Sequence, residues 1–105
     1  MPSASDYIDD VRRYDSGASE NTVGKIVKHL GIALRNRDSS LVSATDAKEL
    51  DRVREKWAIG KLGVSEAEAS LIVDKVAKEM AGDRQKQRVT FYYLAAKHAG
   101  KLDSL

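Results

Sequence analysis

The chain contains a single proline, and it stands at position 2. A proline ring removes a backbone hydrogen-bond donor and disrupts the interior of a helix, so residues 3–105 carry no such interruption. Along most of this length apolar residues recur at spacings of three and four, the period of an amphipathic helix. The pattern predicts an all-α protein. Because 105 residues suit one domain with its own core, we expect residues 1–105 to form a single compact domain with flexible ends at 1–4 and 102–105.

Five stretches combine the helical pattern with polar residues that suit the start of a helix. Ser65 with Glu68 three residues later forms a capping box, the clearest of these starts. The segment 36–45 is polar and irregular. The predicted helices cover about 5–14, 22–35, 46–58, 66–81 and 84–99. Their expected caps are Ser3 or Ser5, Asn21, Ser43 or Thr45, Ser65 and Asp83.

The fifth predicted helix is apolar on two nearly opposite sides. A helix of this kind is normally buried among other helices, so we expect it to be the centre of a helical bundle. Trp57, the only tryptophan, is expected to be a core anchor on the third helix. The apolar residues of the fifth helix are Val89, Tyr92, Tyr93 and Ala96 on one side, and Phe91, Leu94 and Ala95 on the other.

Charge is distributed unevenly, although the net charge is only +2. Residues 1–20 sum to −3, residues 21–37 to +4, residues 38–82 to −2 and residues 83–105 to +3. The two basic stretches are able to bind phosphate groups, and they are equally able to pair with the acidic amino-terminal segment of the same chain. The mild degree of segregation favours pairing within the chain.

Binding to the phosphate backbone of a nucleic acid is the alternative function that these charges support. On the second predicted helix, Lys25, Lys28 and Arg35 lie opposite the apolar stripe. No aromatic residue is interleaved with them to stack on single-stranded bases. The fourth predicted helix, which would read DNA in a helix-turn-helix, carries more acids than bases. The candidate contacts are Lys25, Lys28, Arg35, Arg37, Arg84, Lys86 and Arg88.

Residues suited to catalysis are sparse. The two histidines, His29 and His98, fall on separate predicted helices, and the chain has no nucleophile-elbow or phosphate-loop motif. We expect His98 to be a hydrogen-bonded histidine at the edge of the core, and His29 to be solvated. The sequence therefore predicts no enzyme, no catalytic residue and no cofactor.

A metal site also lacks a matching motif. The chain has no cysteine, which excludes disulfide bonds and thiolate metal ligands. Asn36, Asp38 and Ser40 alternate like the start of a calcium loop. Leu41 and Ala47, however, occupy the positions where that loop needs glycine and glutamate. We expect no metal site.

The apolar runs of the chain are short. None is long enough to cross a membrane, and the acidic first twenty residues lack the apolar stretch of a signal peptide. We therefore expect a cytoplasmic location and no membrane contact.

Three stretches of ordinary residues carry a family resemblance, and they run from Leu30 to Leu50, from Trp57 to Gly63 and from Tyr92 to His98. Together they resemble a small bacterial family, the domain of unknown function 2853. The resemblance covers about residues 20–101. It implies a short, free-standing bacterial cytoplasmic protein, and it brings no catalytic residue, cofactor or partner.

A role in protein interaction is what remains. Ile32, among the bases of the second predicted helix, and Leu71, on the outer side of the fourth, are candidate exposed apolar contacts. We expect a small non-enzymatic module that binds an unidentified protein partner or associates with itself. Weak, sequence-nonspecific nucleic-acid binding is the alternative.

Overall fold

The computed structural model describes residues 2–105, and it confirms the all-α prediction. Two pairs of residues form a small antiparallel sheet, and three further segments form 3₁₀ or π turns of helix. The α-helices are α1 (Ala4–Arg12), α2 (Glu20–Leu30), α3 (Ala47–Arg52), α4 (Glu66–Glu79) and α5 (Arg88–His98). The other elements are 3₁₀ turns at Gly31–Arg35 and Leu102–Ser104, a π-helix at Val53–Ile59, and strands β1 (Leu41–Val42) and β2 (Lys86–Gln87).

The centre of the molecule is α5, as the two-sided apolar pattern predicts. Its side chains are buried from Arg88 to Ala96, and it packs against α1, α2 and α4. Phe91 and Leu94 are fully buried, and each contributes about 1.5–3 kcal/mol through the apolar surface that it removes from water.

Within residues 2–105 no helix is long and apolar enough to cross a membrane.

The third predicted helix is divided into two kinds of helix. After the six residues of α3, the backbone widens into the π-helix. The amide of Gly60 donates to the carbonyl of Glu55 at 2.9 Å, and the amide of Leu62 donates to the carbonyl of Trp57 at 2.9 Å. Both bonds span five residues instead of the four of an α-helix. The apolar spacing that predicts a helix here does not distinguish these two forms.

Trp57 lies on the π-helix and anchors the core as predicted, with 1% of its surface exposed. Its indole Nε1 donates a hydrogen bond of 3.0 Å to the backbone carbonyl of Tyr92 in α5. The centroids of the two rings are 4.8 Å apart. This contact joins the π-helix to the central helix through both a hydrogen bond and aromatic packing.

The second predicted helix is wrong at both ends. Its cap is Ser19 instead of Asn21, because the Ser19 hydroxyl accepts the amide of Thr22 at 3.1 Å. The helix ends at Leu30 instead of residue 35, because Gly31 takes a φ of 47° that favours glycine and redirects the chain. The segment Gly31–Arg35 then forms a 3₁₀ turn.

The first and third predicted helices also need correction. The first begins at Ala4 and ends at Arg12 instead of residue 14. The cap of α3 is Asp46, whose carboxylate accepts the amide of Lys48 at 3.0 Å, instead of Ser43 or Thr45. A carboxylate at this position is also stabilised by the positive end of the helix dipole.

The fourth predicted helix is correct at its start and two residues too long at its end. The hydroxyl of Ser65 accepts the amide of Glu68 at 3.2 Å, and α4 ends at Glu79. The fifth begins at Arg88 instead of residue 84, because Lys86 and Gln87 pair with Val42 and Leu41 as a two-stranded sheet. This pairing, across about 45 residues of sequence, keeps the segment extended.

Asp83 holds the amino-terminal segment and is not a helix cap. Arg13 donates to its carboxylate at 2.8 Å, and the hydroxyl of Tyr14 donates to it at 2.7 Å. These two bonds, the one from Arg13 foremost, hold the pKa of Asp83 below its usual value. Burial and the bond to Asp83 raise the pKa of Tyr14 to about 12.

Asp15 makes the second attachment of this segment. The hydroxyl of Tyr93 in α5 donates to Asp15 at 2.7 Å, and Lys97 lies 3.7 Å away. The bond from Tyr93 is the main reason that the pKa of Asp15 is lowered. Asp15, which follows α1, therefore connects the end of α1 to the central helix. Asp83, which follows α4, connects it to the segment before β2.

These carboxylates predict a loss of stability in acid. A carboxyl whose pKa is lower in the folded chain stabilises the fold above its unfolded pKa of about 3.9, and this stabilisation disappears as the pH falls through the folded pKa. We expect Asp83→Asn to be less stable than the wild type at pH 7 and to show a shallower decline below about pH 4. Urea unfolding across this pH range measures both quantities.

The control for this variant is Asp9→Asn, because Asp9 is an exposed carboxylate of α1 without a hydrogen bond among residues 2–105. It is expected to unfold like the wild type at each pH. Parallel pH profiles for Asp83→Asn and the wild type would contradict the role given to Asp83.

The tight backbone packing at Gly60, where the π-helix ends, predicts a second effect on stability. A Cβ atom at Gly60 would lie 2.8 Å from the carbonyl oxygen of Lys56, so Gly60→Ala is expected to lower the free energy of unfolding by about 1–3 kcal/mol. At Gly82 a Cβ meets no atom within 4 Å, so Gly82→Ala is expected to change it by less than about 0.5 kcal/mol. Equal losses in urea unfolding would contradict the backbone path described for the π-helix.

Candidate functional site: an apolar groove with a basic rim

A groove lies between the start of α1, the outer side of α2 and the turn that follows α2. Its volume is about 390 Å³. We call it the Ile32 groove. Its lining residues are Pro2, Ser3, Ala4, Gly24, Val27, Lys28, Gly31, Ile32 and Arg35.

Two glycines shape the Ile32 groove. At Gly24 a Cβ atom would lie 3.7 Å from the Cβ of Ala4, an ordinary van der Waals contact, so α1 and α2 lie close together at this point. Gly31, with its φ of 47°, ends α2 and starts the turn that carries Ile32. The turn buries Leu34 and leaves Ile32 on the surface. The wall of the groove therefore consists of small and apolar side chains and glycine backbone, with one large apolar residue at its edge.

Ile32 is 79% exposed, as predicted from its position opposite the apolar stripe of the second predicted helix. Burying a side chain of this size contributes about 1.5–3 kcal/mol, a contribution that this chain alone does not obtain. Leu71 on α4 is also exposed as expected, at 70%. It borders a smaller cavity of about 260 Å³ that is lined by both charge types, Glu68 and Lys75.

The rim of the Ile32 groove is basic. Lys28 of α2 and Arg35 of the following turn line the groove, and Lys25 is exposed on α2. The described lining includes no carboxylate. Within residues 2–105, Lys25 and Lys28 take part in no ion pair. The groove therefore combines an apolar wall with a basic rim. Within the described residues, no ion pair neutralises the charges of Lys25 and Lys28.

The acidic amino-terminal helix does not neutralise these lysines. Asp10 pairs with Arg13 and accepts a hydrogen bond from Thr90, while Asp15 pairs with Lys97. In the part of the chain that the structure describes, the internal pairing of the amino-terminal acids is thus with α1 itself and with the carboxyl-terminal basic stretch. The basic side of α2 remains exposed at Lys25 and Lys28.

The other candidate bases are not part of the groove. Arg37 is exposed just after the turn, whereas Arg84 and Lys86 line a separate cleft of about 470 Å³. The ammonium group of Lys86 donates to the backbone carbonyl of Asp83 at 2.7 Å. Three carboxylates share the lining of this cleft, so its charge is mixed. They are Asp38, Asp46 and Glu49.

Arg88 is not an exposed base, because it is 95% buried at the start of α5. Its Nε donates to the carbonyl of Ser39 at 2.6 Å, and its Nη2 donates to the carbonyl of Leu41 at 3.1 Å. It also forms an ion pair with Glu49. Arg88 therefore fastens the segment before α3 to the central helix, and the prediction of a surface contact at this residue is wrong.

The two histidines occupy different surroundings. His98 is half-buried and its Nε2 lies 2.9 Å from the carboxylate of Glu79, which confirms the expected hydrogen-bonded histidine at the edge of the core. His29 is exposed as expected, but its ring also packs on Trp57 with centroids 4.9 Å apart. Burial, with a smaller effect from Lys61, lowers the pKa of His29.

Among residues 2–105 no group of three or more histidine, aspartate or glutamate side chains is placed to hold a metal ion.

Comparisons with known proteins identify one family. A family model described as "Protein of unknown function (DUF2853)" matches residues 6–103 of the 105-residue chain. No curated protein and no solved structure matches the chain.

The burial of Arg88 predicts that its substitution affects stability first. Removing one member of a buried ion pair leaves the other without a partner, so Arg88→Gln is expected to lower the free energy of unfolding by about 3 kcal/mol or more. Arg84→Gln removes the same charge from an exposed position and is expected to change it by less than about 0.5 kcal/mol. Urea unfolding distinguishes these outcomes, and an Arg88→Gln protein as stable as Arg84→Gln would contradict the structural role.

Proposed function

The chain belongs to the DUF2853 family, described only as proteins of unknown function, and we propose from its structure that it is a protein-interaction module. The Ile32 groove binds a segment of a partner protein. That segment presents an apolar side chain flanked by acidic residues. The proposed activity is binding without catalytic turnover.

The observation that carries this proposal is the exposure of Ile32, at 79%, beside an apolar groove of about 390 Å³. Single exposed apolar residues are common on protein surfaces, but this one adjoins a cavity large enough to accept a partner side chain. A partner that fills the groove covers Ile32 and Val27 together. Such anchoring of one or two apolar side chains in a pocket supplies most of the free energy in many protein interfaces.

The basic rim specifies the charge of the partner. Lys25 and Lys28 are exposed and Arg35 lines the groove, while no carboxylate lies in its lining. An acidic segment gains favourable electrostatic energy in this field, and a basic segment is repelled. Charge complementarity therefore favours an acidic partner sequence over a neutral one.

Binding without turnover is consistent with the surroundings of the histidines. His98 is hydrogen-bonded to Glu79, and His29 packs on Trp57. Among residues 2–105, neither histidine shares a hydrogen bond with a serine or threonine hydroxyl. A nucleophile activated by a histidine base would need such a bond.

Nucleic-acid binding through Lys25, Lys28, Arg35 and Arg37 is the alternative function. A phosphate backbone needs a continuous positive surface, and its affinity rests on the number of phosphates that are neutralised. Arg84 and Lys86 lie among carboxylates, and Arg88 is buried. The seven candidate bases are therefore divided between the surface of α2 and the segment after it, the separate cleft, and the core, which favours the protein partner.

A pair of matched variants tests the proposed function. Ile32→Ser and Leu71→Ser each remove one large exposed apolar side chain, at 79% and 70% exposure. We expect Ile32→Ser to weaken capture of the partner at least about tenfold, the effect of losing a central interface contact, and Leu71→Ser to leave it unchanged. Affinity capture from a lysate of cells that express the chain, followed by quantitative mass spectrometry, measures both.

Nuclease treatment of the same lysate separates the two candidate functions. Capture that persists after nuclease treatment and depends on Ile32 supports the protein partner. Capture that disappears with nuclease and is lost in a triple Lys25→Glu, Lys28→Glu, Arg35→Glu variant establishes the nucleic-acid alternative. Equal loss in Ile32→Ser and Leu71→Ser would show that the groove is not the binding site.

A further inference from the structure

A second cavity lies on the other side of α2 from the Ile32 groove. It has a volume of about 200 Å³, and α2, the π-helix and α5 each contribute to its wall. We call it the Trp57 pocket. Among residues 2–105, none lines both sites. Its lining residues are His29, Leu30, Ala33, Ser39, Arg52, Lys56, Trp57, Arg88 and Tyr92.

The charges in the Trp57 pocket are all positive. Three of its lining residues are bases and none is an acid, although the whole chain has 18 bases and 16 acids. Glu49, from the neighbouring cleft, pairs with Arg88 and lies 3.6 Å from Arg52. Lys56 takes part in no ion pair within residues 2–105. One carboxylate therefore pairs with two of the three bases, and the pocket retains a positive charge that favours an anion.

Aromatic rings form the inner wall of the pocket. The rings of Trp57 and Tyr92 have centroids 4.8 Å apart, and His29 packs on Trp57 at 4.9 Å. The guanidinium of Arg88 lies 5.7 Å from the centre of the Tyr92 ring. Flat groups of this kind pack well against a planar ligand.

This wall is held in place before any ligand arrives. Trp57 is fixed by its hydrogen bond to the Tyr92 carbonyl at 3.0 Å, and Arg88 is fixed by the carbonyls of Ser39 and Leu41. A ligand that enters does not need to order these side chains, which lowers the entropic cost of binding. Widened turns of the π type also occur frequently at functional sites.

The volume of the pocket suits a small ligand. A water molecule occupies about 30 Å³ in the liquid, so 200 Å³ corresponds to about six or seven waters. One six-membered ring with a single acidic group fills a similar space. We propose that the Trp57 pocket binds a small aromatic carboxylate, with its ring beside Trp57 and Tyr92 and its carboxylate toward Lys56 and Arg52.

The only tryptophan of the chain lies in this pocket, so its fluorescence reports the site directly. The probe is benzoate, titrated at pH 7.5 and constant ionic strength. We expect a saturable change in Trp57 fluorescence and in the NMR resonance of its indole N–H. Benzamide, which keeps the ring without the charge, and acetate, which keeps the charge without the ring, are expected to bind at least about tenfold more weakly.

Two lysine variants locate the carboxylate. Both lysines are exposed, but only Lys56 lines the pocket, whereas Lys78 lies on α4. We expect Lys56→Gln to weaken benzoate binding about three- to fivefold, and Lys78→Gln to leave it unchanged. The proposal is overturned if benzoate at about 10 mM gives no saturable change, if benzamide binds as well as benzoate, or if the two variants behave alike.

Discussion

The contact between Trp57 and Tyr92 determines how the elements of this protein fit together. An indole N–H must find an acceptor when it is buried, and here the acceptor is a backbone carbonyl of the central helix, 3.0 Å away. The π-helix places Trp57 at this position, and the ring packs on Tyr92 at 4.8 Å. The ring of His29 from α2 also packs on Trp57. One side chain thus connects three helical segments that are distant in sequence.

Both candidate binding sites follow from the position of α2 on this core. Val23, Ile26 and Val27 face inward, so the remaining surface of α2 forms an edge of each cavity. On one side, the start of α1 and the turn after Gly31 complete the Ile32 groove. On the other side, the π-helix and α5 complete the Trp57 pocket. A protein segment and a small anion are consequently proposed for separate faces of one helix, and neither ligand needs to displace the other.

The helical periodicity of the sequence is sufficient to predict the class of the fold, the central position of α5 and the burial of Trp57. It also indicates the exposure of Ile32, although α2 ends at Leu30, two residues before Ile32. The π-helix could not be predicted in this way, because its apolar spacing does not distinguish it from an α-helix. The β1–β2 pair and the role of Arg88 could not be predicted because each depends on partners far along the chain. From the sequence alone Arg88 cannot be distinguished from a surface base, because the carbonyls of Ser39 and Leu41 that it binds are known only from the fold. The Ile32 groove depends in the same way on how closely Ala4 approaches Gly24.

Hydrogen exchange of the Trp57 indole N–H tests most directly whether this contact belongs to the cooperative core. If it does, the indole hydrogen exchanges only when the whole domain unfolds, and its exchange free energy equals that of the α5 amides and the global free energy of unfolding. The denaturant dependence of its exchange also matches that of global unfolding. Exchange through a local opening, at a free energy well below the global value and independent of denaturant, would contradict the account.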